Sequence, residues 1–209
     1  MWPAPDTTDR LLNGVRDGGT PDDLLGEFRE PLRRMIGLRL DPAIARRVDA
    51  SDIVQDVLIE ANQRLQEYLK NPAMPFHLWV RHLAQDRIID THRRHRQAQR
   101  RSIDREQSHA RPAWADESSV SLIASLVDTE ATPSTEAIRV ELQRKLDTAI
   151  DALAEDDREI ILLRHQELLS NQDVATTLNV TEAAASMRYL RAVRRLKAAL
   201  LGDTPEVAE

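Results

Sequence analysis

A chain of 209 residues with no cysteine suggests one or two domains and excludes disulfides and thiolate metal sites. The net charge of -6 and pI of about 5.6 make the body acidic. Six glycines and 3% aromatics argue against a turn-rich β-protein and for small, aliphatic helical cores. No apolar run approaches the ~20 residues that span a bilayer. The start, MWPAPDTTDRLLNGV, lacks the basic and apolar segments of a secretory signal. A cytoplasmic protein with no membrane insertion is therefore expected.

In chain order, Thr8 to Arg16 places Leu11, Leu12 and Val15 on one helical face, and Asp17-Gly18-Gly19 stops it. Pro21-Asp22-Asp23 restarts a helix carrying Leu24, Leu25, Phe28, Leu32, Met35 and Ile36, which Asp41-Pro42 breaks. Asp49 or Ser51 caps the next helix, which runs to about Tyr68 with Ile53, Val54, Val57, Leu58, Ala61 and Leu65 as its apolar stripe. Pro72 and Pro75 make 70–75 a loop. Phe76 opens a further helix with Trp79, Val80, Leu83 and Ile88 as its buried face. Residues 102–133 read as an acidic linker, with a short docked helix around Leu122, Ile123 and Leu126. The second domain, 134–201, starts with a helix burying Leu142, Leu146, Ile150 and Leu153. The next helix runs from Asp156-Asp157 to about Gln166. Residues 202–209 read as a tail.

NQDVATTLNVTEAAASMRYLRAVRRL then reads as a helix-turn-helix. Ser170 and Asp173 resemble a capping box for the helix Gln172 to Leu178. Asn179 takes the left-handed conformation at its end. Thr181 caps a longer helix from Glu182 to Leu201, with Tyr189, Val193, Leu196 and Leu200 inward. A helix of this kind fits the DNA major groove, and its N-terminal half reaches base edges. Arg188 to Lys197 holds five basic residues and no acid.

Charge is segregated elsewhere too. THRRHRQAQRR, 91–101, is the most basic run, whereas 112–160 holds twelve acids against four basic residues. DASDIVQDVLIEANQRL, 49–65, puts Asp52, Asp56 and Glu60 on one helical face, with Gln55 beside them.

The 49–65 stretch resembles region 2.2 of bacterial RNA polymerase sigma factors of the extracytoplasmic-function (ECF) group. That group's pattern runs Asp-x-Glu/Asp-Asp-Leu-Val-Gln-Glu-Val, where Asp49 to Val57 reads Asp-Ala-Ser-Asp-Ile-Val-Gln-Asp-Val. FHLWVRHLAQDRIIDTHRRHR is similar to regions 2.3 and 2.4 through Phe76, Trp79, Ala84, Ile89, Asp90, Arg93 and Arg94. DREIILLRHQELLSNQDVATTLNV…RAVRRLKAAL resembles region 4. The resemblance covers nearly the whole chain in order.

It implies an all-α fold of two small helical domains joined by a linker: a region 2 bundle over 1–101 and a region 4 helix-turn-helix over 134–201. It implies a transcription initiation factor that binds core RNA polymerase, directs it to promoters and assists melting. Asp52, Gln55, Asp56 and Glu60 would dock on the clamp helices of the largest subunit. Asn71, Met74, His77, Arg87, His92, Arg93 and Arg94 would serve the −10 element. Ser186, Met187, Arg188, Leu190, Arg191 and Arg195 would serve the −35 element. The flap of the second-largest polymerase subunit and an anti-sigma factor are further implied partners.

The alternative is a helix-turn-helix regulator that binds duplex DNA without joining polymerase. It accounts for 170–197 and leaves the 49–60 acids and the 87–101 arginines unexplained. No metal site is expected, because His92 and His95 lack convergent ligands. They read as partly charged supplements to the basic run. No Gly-rich phosphate loop or nucleophile–base pair is visible, so neither a cofactor nor catalytic residues are expected, and the chain is not read as an enzyme.

Overall fold

A computed structural model describes residues 1–101 and 136–201, except for the side chains of 42, 98–101, 136–140, 142, 143 and 201. The expected linker, its short helix and the tail lie outside the described residues. The described residues are helices and turns, without strands. The chain divides into two compact units, Met1–Pro112 and Ala113–Glu209.

The first unit contains α1 (Pro5–Arg16), α2 (Asp22–Arg39), the short α3 (Pro42–Ala45), α4 (Ala50–Lys70) and α5 (Phe76–Arg101). α1 ends where Gly18 adopts φ 95°, a conformation open to glycine at little cost. α2 continues through Pro31. An interior proline costs ~3 kcal/mol. The fully buried Phe28, Leu32, Met35 and Ile36 around it contribute about 1.5–3 kcal/mol each, which outweighs that loss. The Asp49 carboxylate accepts from the Ser51 amide at 2.7 Å and so starts α4. α2, α4 and α5 pack on one another around Phe28, Leu32, Val57, Ala61, Leu65, Phe76 and Val80. Phe76 meets Phe28 edge-on at 5.0 Å and Tyr68 at 5.2 Å. Trp79 lies 4.8 Å from Tyr68 and packs against the core half-buried, not within it.

The second unit contains α6 (Glu136–Asp151), α7 (Glu155–Ile161), a π-helical turn (Leu162–Gln166), α8 (Asn171–Leu178) and α9 (Glu182–Leu201). The helix expected to run to Gln166 therefore loosens after Ile161, and the Glu167 amide reaches back to the Leu162 carbonyl at 3.0 Å. The core is aliphatic: Leu146, Ile150, Ile160, Ile161 and Leu163 are out of water. The buried seam of α9 runs through Ala185, Ala192 and Leu196, while Tyr189, Val193 and Leu200 are half-buried. Leu196 is buried as expected, while the rest of the seam lies on Ala185 and Ala192 rather than on Val193 and Leu200. α9 packs on both α7 and α8, and small residues allow the closer crossing.

Candidate functional site

On the first unit, α4 holds Asp52, Gln55 and Asp56 out to solvent one turn apart. Glu60 continues the face but is tied down. It accepts from Arg64 at 3.1 Å and from Arg87 of α5 at 2.8 Å. Arg87 also lies 3.9 Å from Asp56, with 25% of its side chain exposed. The sequence grouped Arg87 with His92, Arg93 and Arg94 as strand-facing. The structure instead seats it against the acids of α4, because α4 and α5 pack side by side. Asp56, Glu60, Arg87 and Arg93 line one open groove with Ile59 and Ile89, which are exposed.

The loop after α4 is anchored, since the Tyr68 hydroxyl donates to the Met74 carbonyl at 2.9 Å. Asn71 closes α4 and is exposed. His77, in the first turn of α5, has the Trp2 ring 6.4 Å away, and Trp2 also lies 6.1 Å from Phe28. Further along α5, His92 accepts from the Asp41 amide at the limit of hydrogen-bonding distance, 3.5 Å. Burial holds the His92 imidazole below its ordinary pKa; Asp41 opposes this, and Arg96 and His95 reinforce it. His92 thus favours its neutral form, which corrects its expected contribution of charge to the basic run. Arg93 is paired with Asp90, whose carboxyl is held low chiefly by that hydrogen bond. Arg94 is exposed, and α5 stays helical to Arg101.

On the second unit, α8 and α9 form a helix-turn-helix with the expected local chemistry. The Ser170 hydroxyl accepts from the Asp173 amide at 3.0 Å, and the Ser170 amide donates to the Asp173 carboxylate at 3.3 Å. Asn179 has φ 52° and ψ 48°, which asparagine tolerates. Thr181 accepts from the Ala184 amide at 3.2 Å and opens α9. Met187 and Leu190 are 56% and 46% exposed, and Arg191 is exposed beside them. The other residues of the expected set have partners inside the unit. Ser186 donates to Asn171 Oδ1 at 3.2 Å, Arg188 reaches Asp156 at 3.8 Å, and Arg195 binds the buried Asp157.

Asn171, Asp156, Asp157 and Arg64 therefore belong to the two surfaces, although sequence spacing did not mark them. A cluster behind α9 was also missed. His165 Nε2 and the Tyr189 hydroxyl are 2.9 Å apart, and the Arg164 guanidinium lies 5.5 Å from the Tyr189 ring centre. Burial, reinforced by Arg164, pushes the His165 pKa down. These residues are 24 positions apart, beyond any helical pattern. Among the described residues there is no group of three or more His, Asp or Glu that could hold a metal, and no helix is long and apolar enough to cross a membrane.

Residues 30–98 match the family model "Sigma-70 region 2", and residues 143–196 match "Sigma-70, region 4". The chain belongs to the sigma-70 family. The region 2 match thus runs from the middle of α2 nearly to the end of α5, and the region 4 match covers residues 143–196 of the second unit. This family is not catalytic. A relative described as "Probable RNA polymerase sigma factor RfaY", from Xanthomonas campestris pv. campestris, is 33% identical over 175 residues, 79% of this chain. The chain spans 40% of the length of that relative. Among solved structures, CnrH in complex with the cytosolic domain of CnrY matches with a TM-score of 0.53 at 19% identity, covering 96% of this chain and 98% of that one. The sigma factor RpoE in complex with the anti-sigma factor NepR, from Bartonella quintana, matches with a TM-score of 0.52 at 19% identity, covering 88% and 99%. At that identity the two structures speak to the fold.

Proposed function

We propose that this chain is a transcription initiation factor that joins core RNA polymerase in the cytoplasm and directs it to promoters by their −10 and −35 elements. The observation that carries the reading is the order of matches: a region 2 unit with an exposed acidic face, then a region 4 unit with a helix-turn-helix, in one chain. Asp52, Gln55 and Asp56 meet the clamp helices of the largest polymerase subunit, and acid against a basic surface sets orientation and association rate. Glu60 and Arg87 brace that face as an ion pair. The anchored 70–75 loop with Asn71 and Met74, then His77, His92, Arg93 and Arg94 on α5, serves the −10 strand. α9 enters the −35 major groove through Met187, Arg188, Leu190 and Arg191, while Ser186 and Arg195 hold its position. Region 4 also meets the flap of the second-largest subunit.

An anti-sigma partner is part of the reading, supported by the two similar folds solved with such proteins or a cytosolic partner domain. The test is transcription by purified core polymerase on promoter DNA with and without the chain. Specific initiation only in its presence is expected. No initiation, with duplex binding intact, would establish the alternative of a helix-turn-helix regulator outside polymerase.

A further inference from the structure

Most polar groups on the outer side of α9 are already engaged within the protein. The Ser186 hydroxyl is given to Asn171, which in turn donates to the Glu182 carbonyl at 3.1 Å. Arg195 is held by Asp157, and Arg188 has to leave Asp156 before it can take the two acceptors of a guanine. Beside the exposed Arg191 and Arg194, α9 holds out an apolar pair, Met187 and Leu190, three residues apart and so on one face. Leu168 is the remaining exposed large hydrophobic side chain among the described residues of this unit, and it lies on a different segment.

Two apolar side chains left in water on a helix rich in arginine call for an apolar counterpart within a negatively charged partner. In the major groove that counterpart is the thymine C5 methyl, the one hydrocarbon group presented by the base edges. Arg191, exposed next to Leu190, supplies a cation for a neighbouring phosphate or guanine.

We infer that Met187 and Leu190 read thymine methyl groups, so that A·T pairs opposite these two side chains specify the −35 element of this factor. The inference rests on the reading of α9 as the −35 helix.

The test uses the full chain with core polymerase and a promoter library randomised at −35. The preferred promoter is then rebuilt with each −35 thymidine replaced in turn by deoxyuridine, which deletes only the methyl and leaves the protein untouched. Each methyl in contact should be worth about fourfold in affinity, the value of burying one such group. Met187→Ala and Leu190→Ala should each abolish the discrimination at one position. A −35 element without constrained A·T pairs, or indifference to deoxyuridine at every position, would overturn the inference and leave initiation standing. Failure to initiate from any library member would overturn the initiation reading and this inference with it.

Discussion

The Arg195–Asp157 pair is asymmetric, and the asymmetry can be measured. The Asp157 side chain is 7% exposed, whereas that of Arg195 is 56% exposed. Removing one partner of a buried pair costs ~3–5 kcal/mol when the other is left charged and dry. Arg195→Ala leaves the carboxylate in that position. Asp157 also lies in the first turn of α7, whose free amides favour an anion and soften the loss by ~0.3–1 kcal/mol. A cost of about 2–4.5 kcal/mol is expected. Asp157→Asn is different, because the guanidinium it releases can rehydrate. The loss is then one charge-assisted hydrogen bond, about 1.5 kcal/mol. Combining both changes removes the stranded charge, so the double variant should cost less than the sum of the singles by ~1 kcal/mol. Since the chain has two units, the readout is native-state hydrogen exchange at α7 and α9 amides in the full chain, which reports the second unit separately. If Asp157→Asn costs as much as Arg195→Ala, or if the two changes add, Asp157 is not a buried charge held by Arg195.

Three further outcomes are expected. Asp52→Lys with Asp56→Lys should slow association with core polymerase on the order of tenfold at low salt, with the effect shrinking as salt rises; circular dichroism should show region 2 folded, and lost helicity would make those acids structural. His165 has a depressed pKa when folded, so below pH ~6.5 the unfolded chain binds more protons than the folded one. The stability it contributes is complete above that pH and is lost as pH falls from there toward the folded-state value; amide exchange in the second unit should follow this, and His165→Gln should flatten the slope. Leu168 has φ 55° and is 42% exposed, so Leu168→Gly should stabilise the second unit by about 0.5–1 kcal/mol through relief of left-handed strain, whereas destabilisation would mean that its side chain packs against something of consequence.

Features set by neighbouring residues were readable in the sequence. Asp49, Ser170 with Asp173, Asn179 and Thr181 each act on backbone two to four positions away, so their roles follow from chain order. The acidic face of α4 was readable for the same reason, since helical spacing defines it. Arg87 was not, because its partners are 27 and 31 positions away and meet it only when α4 packs on α5. Arg195 and Asp157, 38 positions apart, were hidden likewise. A basic run looks uniform in sequence, yet the fold sorts it: Arg87 pairs across helices, Arg93 pairs within its own helix, and Arg94 is left exposed. On α9, Leu196 was readable as core, but Ala185 and Ala192 were not, because large apolar residues were sought where the crossing selects alanine.

Ala185 and Ala192 are therefore more than filler. Each is fully shielded, and seven positions make about two turns of α9, so both methyls point toward the same side. They work as the thin washers of a mount, setting the depth at which α9 is seated in its own domain. A bulkier residue at either place would shim the helix outward and shift Met187, Leu190 and Arg191 together. Promoter preference would then drift through positions that never meet a base, and those two alanines are where a search for such variants has most to find.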